Sequence, residues 1–327
     1  MSQFTAQPTD NREALKRQAM QALNGGRFAE GAALLQQVLA LEPGSAAVCG
    51  DLARACWRLN DGAKAEEVFR KARDLAPGDP YHMNGYGVYL MSQERLDEAL
   101  PLLEKAYALK PGHHEVANNL GLLLHRRGDW PLAEKYFRDA VKAQPNWPAA
   151  HGNLATLLRD MGRNDDAEAA YREALRLAPG NEGGWRALCD FYRGTGRYEE
   201  AVRILKRFTA QAPFNEAGWM NIAEMQEAMS HLDDARATVQ EIKSRFPQSI
   251  GARVIEAKLL RRAKRADEAL ALLKELGELP ESSPSYLPWL FEMGQLYERA
   301  GDAEAAFACF VRAKQKQAQS PEAQQFD

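Results

Sequence analysis

The sequence predicts an all-α solenoid, and three observations carry that expectation. Seven prolines stand 34 residues apart, at Pro43, Pro77, Pro111, Pro145, Pro179, Pro213 and Pro247. Seven alanines keep the same spacing in phase with them: Ala65, Ala99, Ala133, Ala167, Ala201, Ala235 and Ala269. Within most periods a leucine or other large residue, a small residue and a further large residue recur at i, i+1 and i+4, which lays an apolar stripe along one face of a helix. A globular enzyme has no need of such a register. A stack of repeats does, because every repeat presents the same faces to its neighbours. The period also moves the functional expectation from catalysis towards binding.

Nine repeats are read in order, beginning near Arg12, Ala46, Pro80, His114, Pro148, Glu182, Glu216, Ile250 and Leu287. The expected division is a tail over 1–11, eight repeats with a short linker over 12–286, a ninth repeat over 287–318, and a polar tail over 319–327. The first repeat is worn, with Gly31 in the alanine slot and Gln18-Ala19 in place of leucine and a small residue. Terminal repeats are commonly atypical. In repeats two to five and seven the small residue is Ala53, Gly87, Gly121, Ala155 or Ala223. It is expected to admit the second helix at close range, opposite that helix's alanine. Gly128, Gly162 and Gly196 suit a helix C-terminus that needs positive φ. Each ladder proline ends a second helix, since it has no N–H to donate. The eighth repeat carries Glu256 where leucine is expected. Extra residues around Glu281-Ser282-Ser283-Pro284 then mark the expected kink. The ninth repeat recovers with Gly294, Tyr297, Gly301, Ala306, Phe310 and Ala313. Beyond Lys314 the chain is Gln-rich, and fraying is expected there.

The fourth repeat holds Leu120-Gly121, Leu124, Gly128, Ala133, Phe137, Ala140 and Pro145. The sixth holds Trp185, Leu188, Tyr192, Gly196, Ala201 and Pro213, with Cys189 in the small slot. This combination resembles the tetratricopeptide repeat, a helix-turn-helix unit of 34 residues. The resemblance implies a right-handed superhelix whose first helices, the A helices, line a concave wall that serves as the ligand surface.

Composition adds bounds rather than identity. The 327 residues are 45% hydrophobic and 27% charged, with a net charge of -3. That balance gives no push towards nucleic acid or a membrane surface. No run of 18 apolar residues occurs, so no transmembrane helix is expected. The N-terminal residues lack the apolar core of a secretory signal. Cys49, Cys56, Cys189 and Cys309 form no CxxC pair and read as small buried hydrophobes, which fits a reducing cytoplasm.

Two sets of residues are candidates for partner binding. Asn119, Asn153 and Asn221 share one A-helix position, with Ala187 breaking the run, and Asn84 and Asn118 lie one position earlier. Asparagine is a poor mid-helix residue, and its amide both donates and accepts, which suits the backbone of an extended peptide. The ladder is similar to the one in the tetratricopeptide section of O-linked N-acetylglucosamine transferases. The alternative is that these amides bond between neighbouring A helices. The second set is basic: Arg58, Arg126, Arg159 and Arg193 near the ends of successive A helices, with His125, and then Lys258, Arg261 and Arg262. Arginine suits carboxylate or phosphate, so an acidic partner is expected, unless these cations only complement helix dipoles. The set of Lys, Asn, Asn, Lys and Arg with which chaperone-binding tetratricopeptide domains clamp a C-terminal carboxylate is not supplied by three successive repeats. Trp185 and Trp219 occupy a packing position, as does Trp289 by expectation, while Trp57 stands off it and could face the groove.

Chemistry-bearing motifs are missing. His113-His114-Glu115 starts like a zinc helix, but Asn118 stands where a second histidine would be needed. No GxxxxGK loop and no GxSxG elbow occur. Asp165-Asp166 and Asp233-Asp234 fall where acids favour a helix start. No cofactor, metal or catalytic residue is assigned. The expected function is a non-catalytic scaffold for a protein or peptide, with self-association through the exposed last repeat as a further expectation. A narrower resemblance lies in the stretch from Lys258 to Ala313. Its EMGQLYERAGD segment is similar to the junction in bacterial proteins that fuse tetratricopeptide repeats to a sulfotransferase domain. That resemblance implies a substrate-recruiting role; Lys314 departs from it.

Overall fold

A computed structural model describes residues 8–213 and 215–319. The described residues form eighteen α-helices and no strand. They pair in chain order as antiparallel hairpins, an A helix followed by a B helix. The first five hairpins are α1 (Pro8–Asn24) with α2 (Phe28–Leu41), α3 (Ala46–Arg58) with α4 (Gly62–Leu75), α5 (Pro80–Ser92) with α6 (Leu96–Leu109), α7 (His114–Arg126) with α8 (Trp130–Ala143), and α9 (Pro148–Asp160) with α10 (Asn164–Leu177). The next four are α11 (Glu182–Gly194) with α12 (Tyr198–Gln211), α13 (Glu216–Ala228) with α14 (Leu232–Arg245), α15 (Ile250–Arg262) with α16 (Ala266–Glu275), and α17 (Tyr286–Arg299) with α18 (Ala303–Ala318). The chain divides into two compact units, Met1–Ala178 with the first five hairpins and Pro179–Asp327 with the other four. Each is a stretch of α-solenoid.

The local chemistry repeats as closely as the period. Ser45, Asp79, Asn181, Asn215 and Ser249 each precede an A helix and accept a hydrogen bond from a main-chain N–H of its first turn. These short polar side chains satisfy donors that the helix leaves open. Apart from α14, which follows His231, B helices start in one of two ways. Asp61, Asp129 and Asp302 cap with a carboxylate. Arg27, Arg95, Arg163 and Arg265 stand at the same position and pair with an acid three residues on. Asp166 of the acidic pair in α10 is one of those partners.

Helix stops follow the proline ladder. Glu42, Ala76, Lys110, Gln144, Ala178, Ala212 and Phe246 end successive B helices, with φ between -124° and -138° and ψ between 68° and 81°. A following proline ring excludes helical backbone at these residues. The A–B turns need a left-handed residue. Gly128, Gly162 and Gly196 supply it with φ of 80°, 74° and 73°. In four other repeats Asn60, Glu94, Ser230 and Lys264 take the same conformation, with φ from 57° to 62°.

Several packing details differ from expectation. A Cβ added to Gly121 would lie 2.6 Å from Phe137, and one on Gly87 would lie 2.8 Å from Leu103. The close neighbour is therefore the large residue one turn beyond the B-helix alanine, not the alanine itself. Glu256, in the leucine slot of α15, pairs with Lys243 of α14 at 2.8 Å. α16 is one turn shorter than the other B helices, and the segment after it tucks Leu279 into the core of the last two repeats. α18 runs past Lys314 to Ala318, so the expected fraying does not begin there. Residues 320–327 of the polar tail and residues 1–7 of the N-terminal one lie outside the described residues.

Candidate functional site

Within each unit, neighbouring A helices touch: α3 with α5, α5 with α7 and α7 with α9 in the first, α13 with α15 and α15 with α17 in the second. Each B helix packs on its own A helix and, where the same unit has a further hairpin, on the A helix of that hairpin. Contact between A helices puts them on the inner side of the local curve, so an A-helix side chain that points away from the B layer faces a groove.

Four asparagines are joined in two rungs. Asn119 donates its side-chain N–H to Asn84 Oδ1 at 2.9 Å. Asn153 donates to Asn118 Oδ1 at 2.8 Å, and Asn118 is buried. These rungs tie adjacent A helices in the first unit, which is the alternative the sequence left open. Asn221 differs. The slot that supplies its partner in the earlier rungs holds Arg186, and among the described residues its amide has no hydrogen bond.

The basic residues are also engaged. Arg126 donates to the Met91 carbonyl at 3.2 Å and faces Glu94 at 3.4 Å. Arg262 repeats the arrangement, donating to the Glu227 carbonyl at 2.8 Å and to its carboxylate at 2.6 Å. These cations complement the C-terminal carbonyls of the preceding A helix, one repeat away, rather than of their own. His125 and Arg159 both lie against Asp160, at 2.9 and 2.8 Å. Arg193 pairs with Asp190 at 2.8 Å. Arg58 sits over the ring of Phe28, 5.7 Å from its centre.

A concavity lies in the second unit, a groove of about 870 Å³ between α13, α15 and α17. Met220, Val254, Ile255, Pro288 and Phe291 give it an apolar lining. Asn221, Glu224, Lys258, Arg261 and Glu292 bring polar groups, and Ser283-Pro284-Ser285 closes one side. The segment expected to kink is thus part of the groove wall. Two carboxylates beneath the surface hold the cations. Glu292 is buried and takes Arg261 through both oxygens, at 2.5 and 3.1 Å. Glu227 is buried and holds Lys258 at 2.5 Å together with Arg262. Burial raises the Glu227 pKa, but the hydrogen bonds from Lys258 and Arg262 outweigh it, so the carboxyl stays below its ordinary range. Glu224 has the opposite shift. It is open to groove water but enclosed by protein on its other sides, and burial pushes its carboxyl up despite the fields of Lys258 and Arg193. Glu224 is the residue that sequence reasoning missed. Its signal was available: an acid three positions after Asn221, on the same face of the same helix.

The remaining candidates are structural. Trp185 and Trp219 donate their indole N–H to the carbonyls of Pro179 and Pro213, at 2.6 and 3.3 Å. Trp289 is buried in the last core, and Trp57 meets the Tyr89 ring edge-on at 5.9 Å. His113 is buried and stacks on His114. No group of three or more His, Cys, Asp or Glu able to hold a metal occurs among the described residues. Cys49, Cys56 and Cys189 are buried free thiols and Cys309 is half-buried.

Two family models, both described as tetratricopeptide repeat, match the chain. One aligns at residues 22–83 and 158–225, the other at 81–146 and 112–180, so that together they cover 22–225 without a gap. The chain is a tetratricopeptide-repeat protein. Cellulose synthase operon protein C of Salmonella typhimurium is 34% identical to this repeat protein over 88 residues. That alignment takes in 27% of this chain and 8% of the relative, so the two share a run of repeats and not their full lengths. Among solved structures, PilW, a type IV pilus biogenesis factor, superposes with a TM-score of 0.58 at 22% identity, over 64% of this chain and 96% of its own. pilF of Pseudomonas aeruginosa superposes with a TM-score of 0.50 at 20% identity, over 76% and 97%. At such identities these structures establish the shared repeat fold. No helix among the described residues of this tetratricopeptide-repeat protein is long and apolar enough to cross a membrane.

Proposed function

We propose that this protein is a non-catalytic scaffold that holds an extended segment of a protein partner along its A helices, with the groove between α13, α15 and α17 as the principal seat. The observation that carries this is the pairing of an apolar groove with a free amide at Asn221. An extended backbone needs donors and acceptors along one edge and pockets for alternate side chains. The paired asparagines of the first unit then stiffen the A-helix wall, and the half-buried Asn84, Asn119 and Asn153 each keep a polar group for a passing backbone. A cytoplasmic location goes with this reading.

A photo-crosslinking amino acid at Gln248, on the groove rim, tests it in the source cell. An adduct is expected there and not from Lys206, which is exposed on α12. Equal adducts from both positions, or none from either, would sink the scaffold reading. Self-association would engage the outer side of α18, where Phe307 is 71% exposed. A mass by light scattering that does not change with concentration would argue against it.

A second reading is that the repeats recruit substrate to a transferase domain, of sulfotransferase type, in the same polypeptide. The EMGQLYERAGD segment supports it, and that segment forms most of α17 and the turn into α18. The intact mass of the protein from its source cell decides between the readings. A mass near 36.5 kDa leaves no room for a catalytic domain.

A further inference from the structure

We propose that the groove between α13, α15 and α17 selects a peptide segment carrying an aliphatic or aromatic side chain close to a lysine or arginine, and that Glu224 receives that cation. This rests on the scaffold reading above and names the class of segment it would hold.

Charge complementarity favours a basic residue in the groove. The groove contains cations, which at first suggests an acidic partner. Each of them is already matched at short range. Arg261 is held by both oxygens of buried Glu292, and Lys258 shares buried Glu227 with Arg262. Drawing Arg261 towards a ligand carboxylate would strip buried Glu292 of its partner, which is costly, and drawing Lys258 away would leave buried Glu227 with Arg262 alone. Glu224 accepts no hydrogen bond and forms no ion pair among the described residues, although it lies in the same groove. An acidic segment would meet that charge as a repulsion.

The position of Glu224 suits the task. It lies about one turn along α13 from Asn221, so a backbone held by the Asn221 amide places a neighbouring side chain within reach of the carboxylate. Met220 lies beside them, and Val254 and Phe291 supply the apolar surface that a hydrophobic neighbour would cover.

The test is a selection of random decapeptides displayed on phage, panned against the full chain, against Glu224→Gln and against Glu224→Lys, with circular dichroism confirming that all three are folded. The full chain is expected to enrich sequences with a basic residue adjacent, or next but one, to a large apolar residue. Winning peptides, made synthetically, should bind Glu224→Gln about tenfold more weakly, the effect of one charge-assisted hydrogen bond. Glu224→Lys should return acidic residues in the basic position. Enrichment without basic residues, or unchanged affinity for Glu224→Gln, would overturn the proposal and leave the scaffold reading standing. If no sequence is enriched on any of the three proteins, the scaffold reading fails and the proposal with it.

Discussion

The ring of Phe137 lies where a side chain on Gly121 would have to go, 2.6 Å from the ideal Cβ position. Gly121 is in the middle of α7 and Phe137 is on α8, so the contact sets how closely the hairpin closes. Real Cβ atoms do not approach so near, and Phe137 is fully buried, so core side chains must shift to admit a methyl group. Gly121→Ala is therefore expected to destabilise the fold by about 1–3 kcal/mol, the usual effect of overpacking a core. Chemical denaturation followed by circular dichroism measures it. A stabilising substitution would show that the hairpin relaxes freely and that the packing account is wrong.

Glu94 and Lys264 hold the left-handed backbone that glycine supplies in other repeats. A side chain there costs on the order of 1 kcal/mol. Glu94→Gly and Lys264→Gly are each expected to raise stability by about that amount, since the exposed pair between Glu94 and Arg126 contributes little. An unchanged or lowered melting temperature would refute this.

Asn118 is buried and its carbonyl oxygen accepts from Asn153. Asn153→Ala removes the donor and leaves a buried group unsatisfied, at about 1–3 kcal/mol. The double change Asn118→Ala with Asn153→Ala should cost less than the sum of the two single changes. A double-mutant cycle reads the coupling, and additive values would mean that the rung contributes nothing.

Glu224 and Glu227 are three residues apart on α13, yet their pKa values move in opposite directions. Glu227 lies below its ordinary value of 4.5 in the folded protein, through Lys258 and Arg262. Its contribution to stability is full above about pH 4.5 and is lost as pH falls through the depressed value. Glu224 lies above 4.5, through burial, with Lys258 and Arg193 opposing the rise and Glu227 adding to it. Its ionised form therefore weighs against folding at neutral pH. Glu227→Gln should weaken the protein at pH 7, and Glu224→Gln should strengthen it. Both differences should fade on acidification. Denaturation midpoints from pH 3 to pH 8 test this, and shifts of the same sign would contradict it.

Burial pushes the Cys189 thiol up to about 12. The thiolate is the reactive form, so Cys189 should resist alkylation at pH 8 in the folded protein and react fully in denaturant. Mass spectrometry of peptides after maleimide treatment gives the answer. Rapid labelling of Cys189 under native conditions would show that α11 opens easily.

The fold class was legible because the signals that write it are local and repeated. Prolines end B helices, glycines turn between helices, and Leu-Gly pairs mark the packing face. Glu94 and Lys264 were legible in principle, since they fall on the same 34-residue ladder as Gly128 and Gly162. The site was harder to read. Arg126 suggested a ligand contact because its own helix was the frame of reference, whereas the carbonyl it serves belongs to the preceding repeat. The asparagines formed rungs because each acceptor meets the residue one position later in the A helix of the next repeat, an offset that the 34-residue ladder conceals. Glu224 went unnoticed because its meaning depends on what Glu227 and Glu292 have already taken, and that is decided by three helices at once.

Inside each compact unit a helix touches only its neighbours in the chain and those one repeat away. A hairpin emerging from the ribosome therefore finds the surface it must cover already made, on the hairpin synthesised just before it. Assembly can follow synthesis from one end of a unit to the other, and no hairpin waits for a distant segment to arrive.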